Sequence, residues 1–481
     1  MTAQNEAFRH LASAPSPAER RRHRPISRFS AGLVAIALLG LAPSTARALP
    51  SFARQMDLQC IACHTGFPML NTFGRTFKLT GYTLGTGQSD FPPFALMLQP
   101  SFTRTEKGQP GGAAPGFGDN NNWALTQASM FYAGRLFGPY ADDIFGKDGA
   151  AIANKFGVFL QATYDGVGKT WSLDNTEVRY ADTGTIAGQS AVYGFYVNNN
   201  PTLQDPWNST PAWGFPFSGS GLAPTPAAAT LLDGAESQQV DGAGAYVMLN
   251  NQLYFDLGAY HTLGAHVQKS LGVDPTGQTQ IPGLAPYWRI ALEKPCGPGT
   301  WEIGTFGMAA GTYPGRDPSA GEDRIVDIGI DSEYQASVGR HDFTALVSWI
   351  HERQTWSASQ ALGNASNASD TLRNLKATFA YLYDKTYGAE VQYFAIDGSS
   401  DPLLYAGSLT GSPRSDGFVL EVNYYPLNKS GGPAFWPKSN IKLSLQYVIY
   451  NRFDGARTNF DGSGANARDN NMFYAEAWIA F

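Results

Sequence analysis

The residues best equipped for chemistry lie together near the N-terminus, in the order Cys60-Ile61-Ala62-Cys63-His64. Two thiols three positions apart can form thioethers to the two vinyl groups of a haem, while the next residue turns its imidazole to the iron. C-x-x-C-H is therefore the signature of c-type haem attachment. A redox Cys-x-x-Cys pair and half a zinc site are the competing readings, but zinc would need a second ligand pair. The third cysteine, Cys296, stands alone far along the chain. The pattern predicts one covalently bound haem c on Cys60 and Cys63, with His64 as proximal ligand, and leaves no disulfide framework.

The sixth iron ligand is less defined by spacing. Met56 and Met69 are too close to Cys60 and His64 to reach the opposite haem face, and His261, His266, His341 and His351 are distant in the chain. Met97 is the nearest methionine with enough intervening chain to loop around the haem, and methionine ligation would raise the reduction potential relative to two histidines. Packing, the commoner use of methionine, is the alternative.

These residues have to be exported and then positioned. Arg20, Arg21, Arg22, Arg24 and Arg28 precede an apolar run from Ala31 to Ala42, followed by Ala46-Arg47-Ala48. This reads as a secretory signal over residues 1–48, with the mature chain starting at Leu49. About a dozen apolar residues fall short of the roughly 20 that a membrane-spanning helix needs. Removing residues 1–48 takes seven Arg and two Glu from totals of 34 basic and 40 acidic residues, leaving 27 against 38, a net charge of −11. Such a chain is a poor partner for nucleic acid.

Residues 49–93 form a haem segment of some 45 residues, short enough to need a partner surface to complete a core. From residue 94 to 481 the apolar residues recur at every second position, the strand period. Leu253, Phe255, Leu257 and Ala259 alternate with Tyr254, Asp256, Gly258 and Tyr260, and Ile441, Leu443 and Leu445 alternate with Lys442, Ser444 and Gln446. Such stretches occur near 94–103, 124–136, 156–165, 174–181, 191–198, 245–250, 253–261 and 286–293. They continue near 301–310, 324–332, 342–351, 374–383, 387–396, 417–424, 441–450 and 472–481. Sixteen is an even number, as bacterial single-chain barrels require. The expected fold is all-β, an antiparallel transmembrane β-barrel of about sixteen strands, with the haem segment in or under its lumen.

If the first strand runs outward, the outer loops are 104–123, 199–244, 262–285, 311–323, 352–373, 397–416 and 451–471, alternating with shorter inner turns. Cys296 falls in one such turn, between the eighth and ninth strands. The last strand, ending at Phe481, is expected to close against the first. A soluble all-β sandwich also alternates, but Asp256, Glu293, Asp327, Lys376, Glu390, Glu421, Lys442 and Glu476 on the polar face are too many charges for a dry core. A wet lumen would accommodate them. On the first strand, Ala95, Met97, Gln99, Ser101 and Thr103 share the face opposite Phe94, Leu96, Leu98 and Phe102, so the Met97 sulfur should point inward. The polar runs Asp119 to Asn122 and Asp461 to Asn471 lack the oxygen-ligand spacing of a known cation site and read as solvated outer loops.

The N-terminal motifs carry a resemblance. Phe52-Ala53-Arg54-Gln55, Cys60 to His64, Phe67-Pro68, Phe73-Gly74-Arg75 and Phe77-Lys78-Leu79-x-Gly81-Tyr82-Thr83, followed by a barrel, resemble the fused monohaem cytochrome-porins, outer-membrane iron oxidases of iron-oxidising bacteria. The resemblance is specific over 52–103 and architectural beyond. It implies that extracellular Fe(II) gives an electron to a barrel-enclosed haem, from which a periplasmic cytochrome c or cupredoxin carries it onward. The chemistry expected is outer-sphere electron transfer, without a general acid, base or nucleophile. A haem-containing diffusion porin and a soluble periplasmic cytochrome enzyme, such as a peroxidase, are the rival functions.

Overall fold

The computed structural model describes residues 50–85, 93–433 and 438–481. The expected signal over 1–48 and the mature N-terminus at Leu49 lie outside the described residues. Sixteen strands form one closed antiparallel barrel in which every strand pairs with its neighbours in sequence. They are β1 Phe94–Thr105, β2 Asn122–Arg135, β3 Phe156–Asp165 and β4 Thr170–Ile186, then β5 Gln189–Asn198, β6 Val240–Leu249, β7 Leu253–Thr262 and β8 Ala285–Cys296. The second half comprises β9 Gly299–Thr312, β10 Asp323–Val338, β11 His341–Thr355, β12 Ser369–Tyr383, β13 Tyr387–Gly398, β14 Ser415–Tyr424, β15 Asn440–Arg452 and β16 Met472–Ala480. All sixteen expected strands are present, most of them longer than their hydrophobic alternation suggested. Cys296 is the last residue of β8 rather than a turn residue, because the β8–β9 ladder runs on to a Cys296–Gly299 pair.

The ends of the chain meet as expected. β16 pairs with β1 and with β15, and the amides of Leu96 and Phe481 each donate to the other's carbonyl, at 2.6 and 2.9 Å. The outer wall is apolar, with Leu257 69% exposed, while Tyr254 and Tyr260 of the same strand are fully buried on the lumen side. Aromatic pairs mark both rims of this wall. Tyr387 stacks on Tyr424, at 5.4 Å, at the end with short turns, and Phe102 lies 5.0 Å from Trp123 at the other. Alternation of long and short connections holds with exceptions: 166–169 is short on the long-loop side, and the connection between β2 and β3 holds a helix, α3 (Ala141–Ala153), kinked at Gly146.

The interior is filled with protein, where a wet lumen was expected. A segment of 50–85 carrying helices α1 (Pro50–Met56) and α2 (Thr72–Leu79) plugs the short-turn end of the lumen. The connection 199–239, expected as an outer loop up to residue 244, folds into the barrel instead, and β6 starts at Val240. Its Leu203, Trp207, Phe215, Leu222, Leu231 and Leu232 are all buried. Strand charges expected to face a wet lumen, including Asp256, Asp327, Glu421, Lys442 and Glu476, are therefore buried against protein. Burying them is tolerable because partners meet them: Lys442 Nζ lies 2.7 Å from Glu421, and Glu476 accepts from Ser218 of the loop at 2.6 Å.

Candidate functional site

The plug builds its site from a very short sequence. Cys60 to Ala62 form a single 3-10 turn, and the His64 amide donates to the Cys60 carbonyl at 3.0 Å, so the two thiols and the imidazole come from one compact bend. Asn71 then caps α2 by accepting from the Gly74 amide at 3.0 Å, while its own amide group reaches back to the Ala62 carbonyl at 3.1 Å. The first turn of α2 is thereby pressed onto the Cys60–His64 bend. A Cβ on Gly74 would lie 2.2 Å from the Cys63 carbonyl oxygen, which explains why glycine stands there.

His64 is oriented by backbone carbonyls. Its Nδ1 lies 2.9 Å from the Pro68 carbonyl, which leaves Nε2 as the nitrogen to bind a metal. Burial pushes the imidazole pKa down to about 4, against the raising effect of the Pro68 and Met69 carbonyls, and holds the ring in its neutral, metal-binding form. Cys60 and Cys63 are free thiols, and burial pushes both up to about 11. This donor set fits a c-type haem: two unpaired thiols and one imidazole whose outward nitrogen is fixed by a backbone carbonyl. Phe67 packs edge-on against His64 at 5.3 Å and against Trp478 of β16 at 5.1 Å, tying the bend to the barrel seam.

Met97 lies on the lumen face of β1, 4% exposed, in an apolar cluster with Ala95, Phe131, Ala133 and Trp478 that also packs against Phe52 and Phe67 of the plug. Sequence reasoning placed it facing inward, and it does. Met248 and Met308 also face the lumen but belong to other clusters, which contain neither Phe52 nor Phe67. Cys296 is exposed at the rim and takes no part.

Sequence reasoning missed the barrel residues that hold the plug. Arg75, 5% exposed, lies 2.8 Å from Glu333 and 3.2 Å from Glu293, and donates to Gln335 and Thr300 at 3.0 Å each. Lys78 Nζ donates to the Asp205 carbonyl at 2.5 Å and to Asn208 at 2.6 Å. Burial pushes this amine down to about 7, with Asp205 and Glu177 opposing the shift. Tyr82, at a left-handed φ of 61°, donates to Glu177 at 3.0 Å and stacks on Phe52 at 5.2 Å. Gln55 bonds to the Tyr82 and Leu84 carbonyls at 2.6 and 2.7 Å and accepts from the Arg135 amide at 3.0 Å. Arg54 donates to the Phe94 carbonyl. The N-terminal motif residues are thus in large part docking residues.

The loop is tied to the same wall. Arg289 of β8, fully buried, lies 3.2 Å from Asp205, 2.8 Å from Asp331 and 3.1 Å from Glu302. Burial opposes the Asp205 charge, but Arg289, Lys78 and the hydrogen bonds of Thr210 outweigh it and hold its pKa below the usual range. The polar runs at 119–122 and 461–471 bond within themselves and to nearby backbone, as Asn120 does with Thr105 at 2.9 and 2.8 Å. Among the described residues, no cluster of three or more His, Cys, Asp or Glu side chains could hold a metal ion.

A closed barrel with an apolar wall satisfies its backbone internally and can stand in hydrocarbon. The chain is a sixteen-stranded β-barrel of the outer membrane. Solved structures that it resembles are porins and channels. OmpF of Salmonella typhi, in complex with daunomycin, shares 12% identity at a TM-score of 0.44, over 81% of this chain and 97% of that one. The channel DcaP of Acinetobacter baumannii shares 10% at 0.43, over 81% and 96%. The anion-selective porin of Comamonas acidovorans shares 11% at 0.43, over 81% and 98%. No protein-family model matches the sequence, and no curated protein matches it.

Proposed function

We propose that the protein is an outer-membrane electron conduit that oxidises extracellular Fe(II) and delivers the electrons to a periplasmic cytochrome c or cupredoxin. The observation that carries the reading is the Cys60–His64 bend, with His64 Nδ1 fixed on the Pro68 carbonyl, inside a plug locked to the barrel wall. Cys60 and Cys63 would hold a haem c covalently and His64 would be its proximal ligand. Met97 is assigned the sixth position, because it is buried on the lumen face in the cluster that receives Phe52 and Phe67. When bound, the haem supplies a reversible one-electron couple. The protein's own part is to hold the imidazole, exclude water through Phe67, Phe131 and Trp478, and keep the site in the membrane plane. Each Fe(II) becomes Fe(III), and the electron leaves on the periplasmic carrier, so no proton need move.

The filled lumen favours this reading over a diffusion porin. Beside the loop lies a cavity of about 20 Å³, lined by Ser209, Phe215, Ser348 and Gln392 among others. The ion pair of Asp233 and Lys376, at 2.6 Å, stands at its edge.

Stopped-flow mixing of Fe(II) with outward-facing proteoliposomes should reduce the haem without release of an entrapped small solute. Solute release with no haem reduction would favour the porin. Met97→Ala should leave an open or water-bound site, and Met97→His a six-coordinate haem of lower potential with slower Fe(II) oxidation. An unchanged low-spin spectrum and potential in Met97→Ala would assign the sixth position elsewhere.

A further inference from the structure

The outer wall carries one cluster of charge that the electron-transfer reading does not use. Arg324 of β10, Arg353 of β11 and Arg373 of β12 all point outward and are exposed. In the ladder Arg353 lies opposite Val326 and Thr371, and Arg373 lies opposite His351. Arg353 is therefore the diagonal neighbour of both Arg324 and Arg373, roughly 7 Å from each at Cβ. Arg324 and Arg353 have no hydrogen bond or ion pair among the described residues, and Arg373 has only the loose contact to Asp397 at 3.9 Å, both half-exposed. Glu322, beside Arg324, pairs with none of them. By contrast, the outward pair Asp241 and His261, on β6 and β7, lies at 3.1 Å.

Their height on the barrel is set by what lies below. On β12 the outward face runs Tyr381, Phe379, Ala377 and Leu375 before Arg373. At ~3.3 Å per residue and a ~40° tilt, Arg373 stands roughly 20 Å above Tyr381, near the top of a ~25 Å apolar band. Trp349, one pair below His351 and stacked on it at 5.9 Å, marks the same level. Directly beneath, Ile328, Ile330 and Val347 are exposed. His351 Nδ1 is buried without a hydrogen-bond partner. The arrangement is a cationic head with an apolar track under it, on the leaflet that faces the cell exterior.

We propose that Arg324, Arg353 and Arg373 bind the phosphate groups of an outer-leaflet glycolipid, whose acyl chains lie along Ile328, Ile330 and Val347. Arginine suits the task, since its planar fork meets phosphate oxygens two at a time. A second protein would have to displace lipid from the apolar track, whereas a phosphorylated glycolipid completes both halves of the surface at once.

The test uses the full chain in phosphatidylcholine vesicles containing lipid A or dephosphorylated lipid A, with bound glycolipid counted by native mass spectrometry after detergent extraction. The wild type should retain lipid A and lose the dephosphorylated form, and inorganic phosphate should not compete. Arg324→Gln/Arg353→Gln should lower retention about tenfold, with an unchanged unfolding temperature. Arg324→Lys/Arg353→Lys, which keeps the charge, should retain most of it. Equal retention of both lipids, full competition by inorganic phosphate, or as large a loss with lysine as with glutamine would overturn the proposal.

Discussion

The plug enters the lumen at the short-turn end and reaches the wall through Arg75 and Tyr82 and the loop through Lys78, whereas the 199–239 loop enters from the opposite end and is held by both its side chains and its backbone. Wall side chains come to the loop. Glu352 and Asp327 accept from the amides of Leu231 and Leu232 at 2.6 and 2.8 Å, Gln392 donates to the Phe215 carbonyl at 2.6 Å, and Tyr450 donates to the Pro224 carbonyl at 3.3 Å. In the plug, Arg75 meets the carboxylates of Glu333 and Glu293. The loop presents peptide groups as well as side chains such as Asp205, Ser218 and Asp233. The loop thus adds several backbone anchors to its side-chain ones.

The sharpest way to break this comparison is to strip each segment of its part. Cys60→Ala/Cys63→Ala should abolish haem that survives denaturing electrophoresis. Replacing residues 218–226 by a short Gly/Ser bridge should leave that haem intact and raise solute flux in liposome swelling. Loss of haem on trimming the loop would erase the distinction.

Removing one anchor from each segment should then differ in size. Arg75→Ala leaves Glu333 and Glu293 buried without their cation and should cost about 3 to 5 kcal/mol in urea unfolding. Asp205→Asn should cost only ~1 to 3 kcal/mol, since Arg289 keeps Asp331 and Glu302. Equal costs would mean that both segments are held alike.

The smallest effect concerns pH at the loop's outer end. Burial pushes the Glu236 carboxyl from 4.5 up to about 8, with Arg316 opposing only in part, so the folded protein binds this proton more tightly than the unfolded chain does. The associated stability is complete below about pH 4.5 and is lost as pH rises through 8. Melting temperatures of Glu236→Gln should fall less steeply over that window than those of the wild type. Parallel curves would remove Glu236 as the cause.

Much of this was legible in the sequence, for a physical reason. A membrane-facing wall must alternate strictly, so all sixteen strands left their period, and the inward direction of Met97 followed from the same parity. The Cys60–His64 spacing stood out because haem attachment fixes residue types at fixed intervals. The loop left no such trace. Trp207, Trp213, Phe215, Phe217, Leu231 and Leu232 together are too apolar for a solvated connection, and that composition was the one available signal. Strand charges were read as wet because alternation says which way a side chain points, not what meets it. Glu177, Arg179, Arg289 and Glu333 each have a partner more than 40 residues away, in Tyr82, Lys78, Asp331 and Arg75, a relation that local pattern does not encode.

The plug touches the wall at β1 through Arg54, at β2 through Gln55, at β4 through Tyr82, at β6 through the Leu79 carbonyl, at β10 through Arg75 and at β16 through Phe67. These contacts reach six strands on different sides of the barrel, like spokes on a hub. A hollow ring of strands can ovalise under lateral pressure from its surroundings, but a spoked ring keeps its cross-section. Such contacts tie the Cys60–His64 bend to the strands that they reach. If the bend carries the proposed haem, such stiffness would mean little nuclear rearrangement at each transfer, and a rate that stays steady as the surrounding bilayer thickens, thins or flexes.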